Sequence, residues 1–467
     1  MENSLSTTAA ELRVLSDEYY EKFLSVIAKS RKPNPIRGLY PLEKKPGVIS
    51  LLAGKPNASS FPFTSFSFTV TSPTSSSLST SPETKLTIDG AELAEALQYS
   101  DTAGLKQLLE WTTGLQTFSH QRELGEGWRI SVGSGSQDLL YKAVASIFNP
   151  GDPILVEAPA YSGAIAIFEA LKCLQIEIQT DDQGILPSSL RSILDNWPEG
   201  KAKPKGLYTI PYGGNPSGTT IPVERRLQVL QLALEHDFLI LEDDPYYYLY
   251  YSTSPRPQSY FSLEREITTV GRVLRFDSFS KILSAGIRIG FATGPTPLLN
   301  AIDGYTATSN LQTSSFTQAV VVKLLTHWGY EGFHAHTEKV SAFYKEKRDV
   351  FETAMKKHLG GLAEWTTPVS GLFFWFKLIL PGEDDSEAII KTKAYENGVL
   401  ALPGTVFLPS GSKTTYARAA FSLLSEEDID EALRRLRGVL ITEQQTSESS
   451  VLSLAGTAGR QATSGDV

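Results

Sequence analysis

Between residues 91 and 330 short apolar runs alternate with helical patterns, and that alternation restricts the fold more than any other feature of the chain. The runs at 129–132, 153–157, 174–179, 206–210, 238–242, 272–277 and 287–293 are candidate strands, with helical patterns such as 137–148 and 223–236 between them. Strands separated by helices cannot pair as tight hairpins, so the expected architecture is α/β with a largely parallel sheet. Ligands of such sheets sit beyond the carboxyl ends of the strands. The loops that follow each run are therefore where function should lie.

The rest of the chain is organised around this unit. At 467 residues it exceeds the size at which one core normally divides. After 330, a helix at 333–359, runs at 373–380, 399–402 and 417–422, and a helix near 426–440 describe a smaller α+β domain. The expected division is an N-terminal arm and strap over 1–60, a large domain over 61–330, a small domain over 331–441 and a disordered tail over 442–467. In the arm, Tyr20, Phe23, Leu24 and Ile27 fall on one face of a helix from about Ser16, and Pro33 and Pro35 then impose an extended strap. The Ser/Thr-rich stretch 64–85 reads as a surface excursion.

Composition removes several function classes. A net charge of −9 leaves no broad basic face for nucleic acid or an anionic membrane. No apolar run reaches the roughly 18 residues of a membrane-spanning helix. The single cysteine, Cys173, forbids an intrachain disulfide and reads as a small core residue. Acidic residues at Glu2, Glu11, Asp17, Glu18 and Glu21 do not suit a signal or transit peptide, so the expected location is cytoplasmic. His334 and His336 lie two apart on a helix and point away from each other, and no other cluster suggests a metal.

Successive strand ends carry chemistry-bearing residues. Gly133-Ser134-Gly135-Ser136-Gln137 opens a helix, either as an ordinary turn or as an anion cradle. Tyr161, in Pro-Ala-Tyr, either joins the core or stacks on a planar ring. Asn215, in Asn-Pro-Ser-Gly, is either a turn former or an amide donor. Asp243 and Asp244 follow the apolar run Phe-Leu-Ile-Leu, and a buried carboxylate there requires a cationic partner. In Asp277-Ser278-Phe279-Ser280-Lys281, one lysine sits among hydroxyl residues, with Arg288 seven positions later. A desolvated lysine is a nucleophile towards carbonyls, and an arginine suits a phosphate. Pyridoxal 5'-phosphate joins an aldehyde to a phosphate and has a ring nitrogen that pairs with an acid. The five strand ends together offer what it requires.

Ser-Gly-Ser-Gln, Pro-Ala-Tyr-Ser-Gly, Asn-Pro-Ser-Gly, Glu-Asp-Asp-Pro-Tyr-Tyr and Ser-Phe-Ser-Lys resemble the motifs of class I (fold type I) aminotransferases, and within them the kynurenine/α-aminoadipate and fungal aromatic group. The resemblance spans roughly residues 30–440, with Ser217 standing where the family often has threonine. It implies that Lys281 binds pyridoxal 5'-phosphate covalently and is the catalytic base, that Asp243 pairs with the ring nitrogen, and that Tyr161 stacks on the ring. It assigns Asn215 and Tyr246 to the ring hydroxyl, and Ser136, Gln137, Ser278, Ser280 and Arg288 to the phosphate. Tyr99 would reach the phosphate of a second subunit, which implies a homodimer with shared sites. Arg418 would bind the substrate α-carboxylate together with Asn215, and Arg37 and Gly54 belong to a strap over the substrate side chain. For Arg37 a solvated strap arginine is the competing reading.

The implied reaction moves the amino group of an aromatic amino acid, kynurenine or 2-aminoadipate to a 2-oxo acid such as 2-oxoglutarate. A lyase or decarboxylase on the same fold, or a non-catalytic regulator that binds the cofactor, are the alternatives. A regulator would need a DNA-binding module, for which the acidic first 30 residues are too short.

Overall fold

The computed structural model describes residues 12–461 apart from 33–34, 44, 53, 76–81, 268 and 382–384, with backbone alone for Arg37, Tyr40 and 447–461. Its centre is a sheet whose strands run in the order Trp128–Gly133, Gly290–Pro295, Val273–Ser278, Leu239–Asp243, Gly206–Thr209, Pro153–Ala158, Leu174–Asp181 and Gly184–Ile185. Pairing from Val273–Ser278 across to Leu174–Asp181 is parallel, and Gly290–Pro295 is antiparallel to both of its neighbours.

The apolar runs are continuous because both faces of the sheet are buried. Ile154, Val156, Tyr208, Leu239, Leu241, Leu274 and Phe276 join one core cluster. The intervening Leu155, Leu207, Ile240 and Val273 join another. Alternation of strand side chains thus divides single runs between two cores. The register aligns Ser278 with Gly290 and Gly133 with Gly290, so the antiparallel strand begins where its neighbours end. That inversion delivers the Arg288 loop to the same edge as the other strand ends.

A second sheet, Ala363–Trp365, Phe373–Leu378, Tyr416–Ala420 and Leu402–Pro403, is wholly antiparallel. It packs with Phe351, Met355, Leu359, Leu433 and Leu436 in a core of its own. The helix Ser315–Leu359 joins the two cores and breaks at Gly329, whose φ of 64° and ψ of −177° are non-helical. Val321 and Leu325 precede the break and pack into the large core, while Phe351 and Met355 pack into the small one.

Three local expectations need correction. The Ser/Thr-rich stretch is a strand pair, Ser65–Thr71 antiparallel to Glu83–Asp89. Its Ser-Phe-Ser-Phe alternation turns Phe66 and Phe68 onto the large core, with the Phe66 ring 4.9 Å from that of Phe316. The N-terminal helix is a 3-10 segment, Asp17–Lys22, followed by the short helix Val26–Ser30, which starts where the Ser25 hydroxyl accepts the Ala28 amide. Over its described part, which ends at 461, the tail is not irregular, and 462–467 lie outside the described residues. The last helix runs Glu426–Gln461, and the Thr442 and Thr446 hydroxyls donate to the carbonyls of Gly438 and Thr442.

Candidate active site

The strand ends converge on a cavity of about 190 Å³, whose lining includes Lys281, Asp243, Tyr161 and Arg288. The strand Val273–Ser278 hands over to a single 3-10 turn, Phe279–Lys281, because the Ser278 hydroxyl accepts the Ser280 amide at 3.2 Å. Phe279 is buried and its carbonyl accepts the Leu283 amide at 2.8 Å, which anchors the turn from below. Lys281 lines the cavity beside Ser278 and Ser280. Burial, and then the Arg288 guanidinium, lower the pKa of its amine. Both causes make the neutral, nucleophilic form easier to reach.

Arg288 adopts a left-handed backbone (φ 53°) and donates to Ser280 Oγ and to the Ser134 carbonyl, each at 3.1 Å. Its close approach requires glycine at 135, where an added Cβ would lie 2.5 Å from Nη2 at a φ of +93°. Gly290 is equally confined: an added Cβ there would lie 2.7 Å from both the Asp277 carbonyl oxygen and the Ser136 nitrogen. The helix Ser136–Ile147 starts here with no side-chain cap. Its free first amides, with Ser136, Gln137, Ser278, Ser280 and Arg288, make a concave cationic end suited to a phosphate-sized anion. Gln137 is held in place by donating to the Gly163 carbonyl at 3.0 Å.

At the other end Asp243 closes the strand Leu239–Asp243 and is almost fully buried. Tyr208 Oη donates to its Oδ2 at 2.8 Å, whereas Oδ1 is buried without a partner. Burial pushes the carboxyl up to about 6, against the opposing hydrogen bond from Tyr208. An unsatisfied buried carboxylate oxygen is costly, and an N–H cation from a ligand would relieve it. Behind it, Arg275 is wholly enclosed among Asp244 (2.7 Å), Asp277 (2.8 Å) and Glu242 (3.4 Å). Burial raises the Asp244 carboxyl, Arg275 opposes the rise, and the neighbouring Glu242 and Asp277 carboxylates add to it.

Two side chains from distant parts of the chain meet at the cavity wall, where Asn215 is part of the lining. Arg418 Nη1 donates to Asn215 Oδ1 at 2.7 Å across 203 positions of sequence. Its guanidinium carbon lies 4.2 Å from the ring centre of Phe373 and 4.9 Å from that of Phe407, and Nε is buried without a partner. Burial lowers the Arg418 pKa. Tyr161 and the buried Tyr246 line the same space, and burial raises both phenols.

Among the residues singled out from sequence, Ser136, Gln137, Tyr161, Asn215, Asp243, Tyr246, Ser278, Ser280, Lys281 and Arg288 line one cavity, and Arg418 is bonded to one of them. Tyr99 does not join them within the chain; it is 49% exposed after the helix Gly90–Ala96. Gly54 is exposed with open space around it. Arg37 begins the short turn Arg37–Leu39, and its side chain lies outside the described atoms. Sequence reasoning missed Tyr208, Ile210, Pro245, Phe373 and Phe407. Tyr208 carries a signal in retrospect, a phenol inside an apolar strand that needs a buried acceptor; Phe373 and Phe407 carry none.

The model of the aminotransferase class I and II family matches residues 73–436. The chain belongs to that family. This aminotransferase is 41% identical to the aminotransferase tdiD of Emericella nidulans, over 88% of this chain and 93% of the relative. It is 40% identical to the mitochondrial kynurenine/alpha-aminoadipate aminotransferase of Bos taurus, over 89% of this chain and 98% of that protein. Its fold superposes on the crystal structure of the aminotransferase Aro8 from Candida albicans with a TM-score of 0.83 at 26% identity, covering 93% of this chain and 99% of the other. The architecture is that of fold type I enzymes, and the cofactor is pyridoxal 5'-phosphate. Among the described residues no helix is long and apolar enough to cross a membrane, and no group of acids, histidines or cysteines is placed to hold a metal.

Proposed function

We propose that this aminotransferase moves the amino group of an aromatic amino acid, kynurenine or 2-aminoadipate to 2-oxoglutarate or a similar 2-oxo acid. The observation that carries the reading is Arg418 held between Phe373 and Phe407 and bonded to Asn215, beside Tyr161 and Tyr246. One end fixes a carboxylate and the walls are aromatic. Relatives whose names include kynurenine, aminoadipate and aromatic amino acids support it.

The residues present fit pyridoxal 5'-phosphate. The orphaned Asp243 Oδ1 suits the ring N–H, and the cradle at Gly135 and Gly290, which a Cβ would fill, suits the phosphate. Ser136, Gln137, Ser278, Ser280 and Arg288 would hold that phosphate, Tyr161 the ring face, and Asn215 with Tyr246 the ring hydroxyl. When bound, the cofactor supplies an aldehyde for amines and a protonated ring that accepts electrons from Cα. The chain supplies the rest. Arg418 grips the α-carboxylate and so orients the Cα–H bond towards Lys281. The Lys281 amine, kept easy to deprotonate by burial and Arg288, takes the Cα proton and holds it for return. Asp243 keeps its negative charge against the ring and never transfers a proton to substrate.

Lys281→Ala is expected to abolish turnover and the visible absorbance of the bound cofactor. A lysine-free variant with normal turnover would remove the scheme. For specificity, steady-state comparison across donors should favour phenylalanine, tyrosine, tryptophan, kynurenine or aminoadipate; preference for alanine or aspartate would defeat it.

The assembly in this reading is a homodimer. The strap presents Ile49 (92% exposed) and Leu51 (99% exposed) to solvent, which suits coverage by a second copy. Tyr99 would then serve the second copy's phosphate. A cytoplasmic location is part of the same reading, supported by the lone Cys173 and checked by cell fractionation, since relatives named mitochondrial exist.

A further inference from the structure

We infer that Tyr208 is a positioning residue for the reaction, fixing which oxygen of Asp243 faces the cofactor and keeping that carboxylate ionised. The inference rests on the reading that Asp243 faces the ring nitrogen. Tyr208 and Asp243 stand on neighbouring parallel strands, with Tyr208 opposite Leu241 and Thr209 opposite Glu242. Two-residue periodicity puts Asp243 on the same face as Leu241, so the Tyr208 phenol reaches it diagonally. The bond is 2.8 Å long, and Tyr208 is 1% exposed.

Among the described residues Tyr208 is the donor to Asp243, and it takes Oδ2 alone. The carboxylate can rotate about its last torsion, and a donor on one oxygen removes that freedom and leaves Oδ1 for the ring. A hydrogen bond to the ionised form also opposes the burial that favours the neutral acid. The phenol itself is held by edge-on packing against Phe168, with ring centres 5.5 Å apart. Burial and the neighbouring carboxylate push the phenol pKa well up, so it stays a donor throughout the working range.

The consequence reaches Lys281 through the ring. Without the Tyr208 bond, Asp243 holds a shared proton more strongly and the ring nitrogen loses part of its charge. A less electron-poor ring leaves the Lys281–cofactor linkage more basic.

The test uses cofactor-loaded Tyr208→Phe, which keeps the ring packing on Phe168. Expected are an upward shift of about one pH unit in the titration of the visible band and a fall in kcat on the order of tenfold, with KM for the amino donor little changed. Phe168→Leu disturbs the packing but keeps the hydroxyl; it should lower Tm and leave the titration in place. Asp243→Asn separates the two levels of the argument. If Asp243→Asn leaves the titration unmoved, the ring-nitrogen reading itself fails. If Asp243→Asn moves it and Tyr208→Phe does not, the role given to Tyr208 is wrong. A shift in Phe168→Leu equal to that in Tyr208→Phe would also overturn it, by making packing the cause.

Discussion

Asp243 shows how one buried atom couples stability to ligand binding. Burial raises its carboxyl from an ordinary value of 3.8 to about 6. Between those values the folded chain holds more protons than the unfolded one, so this group's contribution to stability falls as pH rises through the window. A cation opposite Oδ1 favours the ionised form and removes that loss. The gain in Tm on loading pyridoxal 5'-phosphate should therefore be roughly 1–2 °C larger near pH 7.5 than near pH 5. Calorimetry of cofactor-free and loaded protein at both pH values checks this. In Asp243→Asn the pH dependence of the gain should shrink by that amount; an undiminished dependence would mean that other groups carry all of it.

At the scale of elements, the site depends on how two loops cross. Gly213, in the loop that leads to Asn215, has a φ of +55°, and Gly371, just before the strand Phe373–Leu378, has a φ of +77°. A Cβ on Gly371 would lie 2.8 Å from the Gly213 carbonyl, and one on Gly213 would lie 2.6 Å from Gly371 Cα. Backbone therefore passes against backbone where the large sheet's loop meets the small sheet. This crossing sets Phe373 beside Arg418 and Arg418 beside Asn215. Gly371→Ala should cost about 1–3 kcal/mol of stability, through its left-handed backbone and the clash. It should also raise KM for the amino donor more than it lowers kcat. Urea melts and steady-state kinetics read the two effects; wild-type stability would show that the loops have room to part. The strands that carry these loops were legible because each is a local pattern: an apolar run, then turn formers, then a helical period. The pair Ser65–Thr71 and Glu83–Asp89 was not, since its serines and threonines mask an alternation that matters only once Phe66 meets Phe316.

For the whole molecule, the proposed dimer makes a prediction that one chain cannot. If Tyr99 completes the site of a second copy, a mixture of Lys281→Ala and Tyr99→Phe chains, dissociated and reassembled, forms hybrids with one intact site. Activity should then rise several-fold above the sum of the separate variants, approaching a quarter of wild type when hybrids form half the population. Activity equal to that sum after verified mixing would place Tyr99 outside the shared site.

The amino-acid sequence alone was enough for the parallel α/β architecture, the family resemblance and the loops that carry chemistry. Each of these is written in neighbouring residues: Ser278 to Lys281 in one turn, Asp243 at the end of one run, Ser136 at one helix start. Only the tertiary structure decided that Arg418 bonds Asn215, that Phe373 and Phe407 enclose it, and that Tyr208 holds one oxygen of Asp243. Those contacts depend on strand register and on the docking of one core against another. Such packing sums many weak, long-range preferences that leave no local mark in the chain.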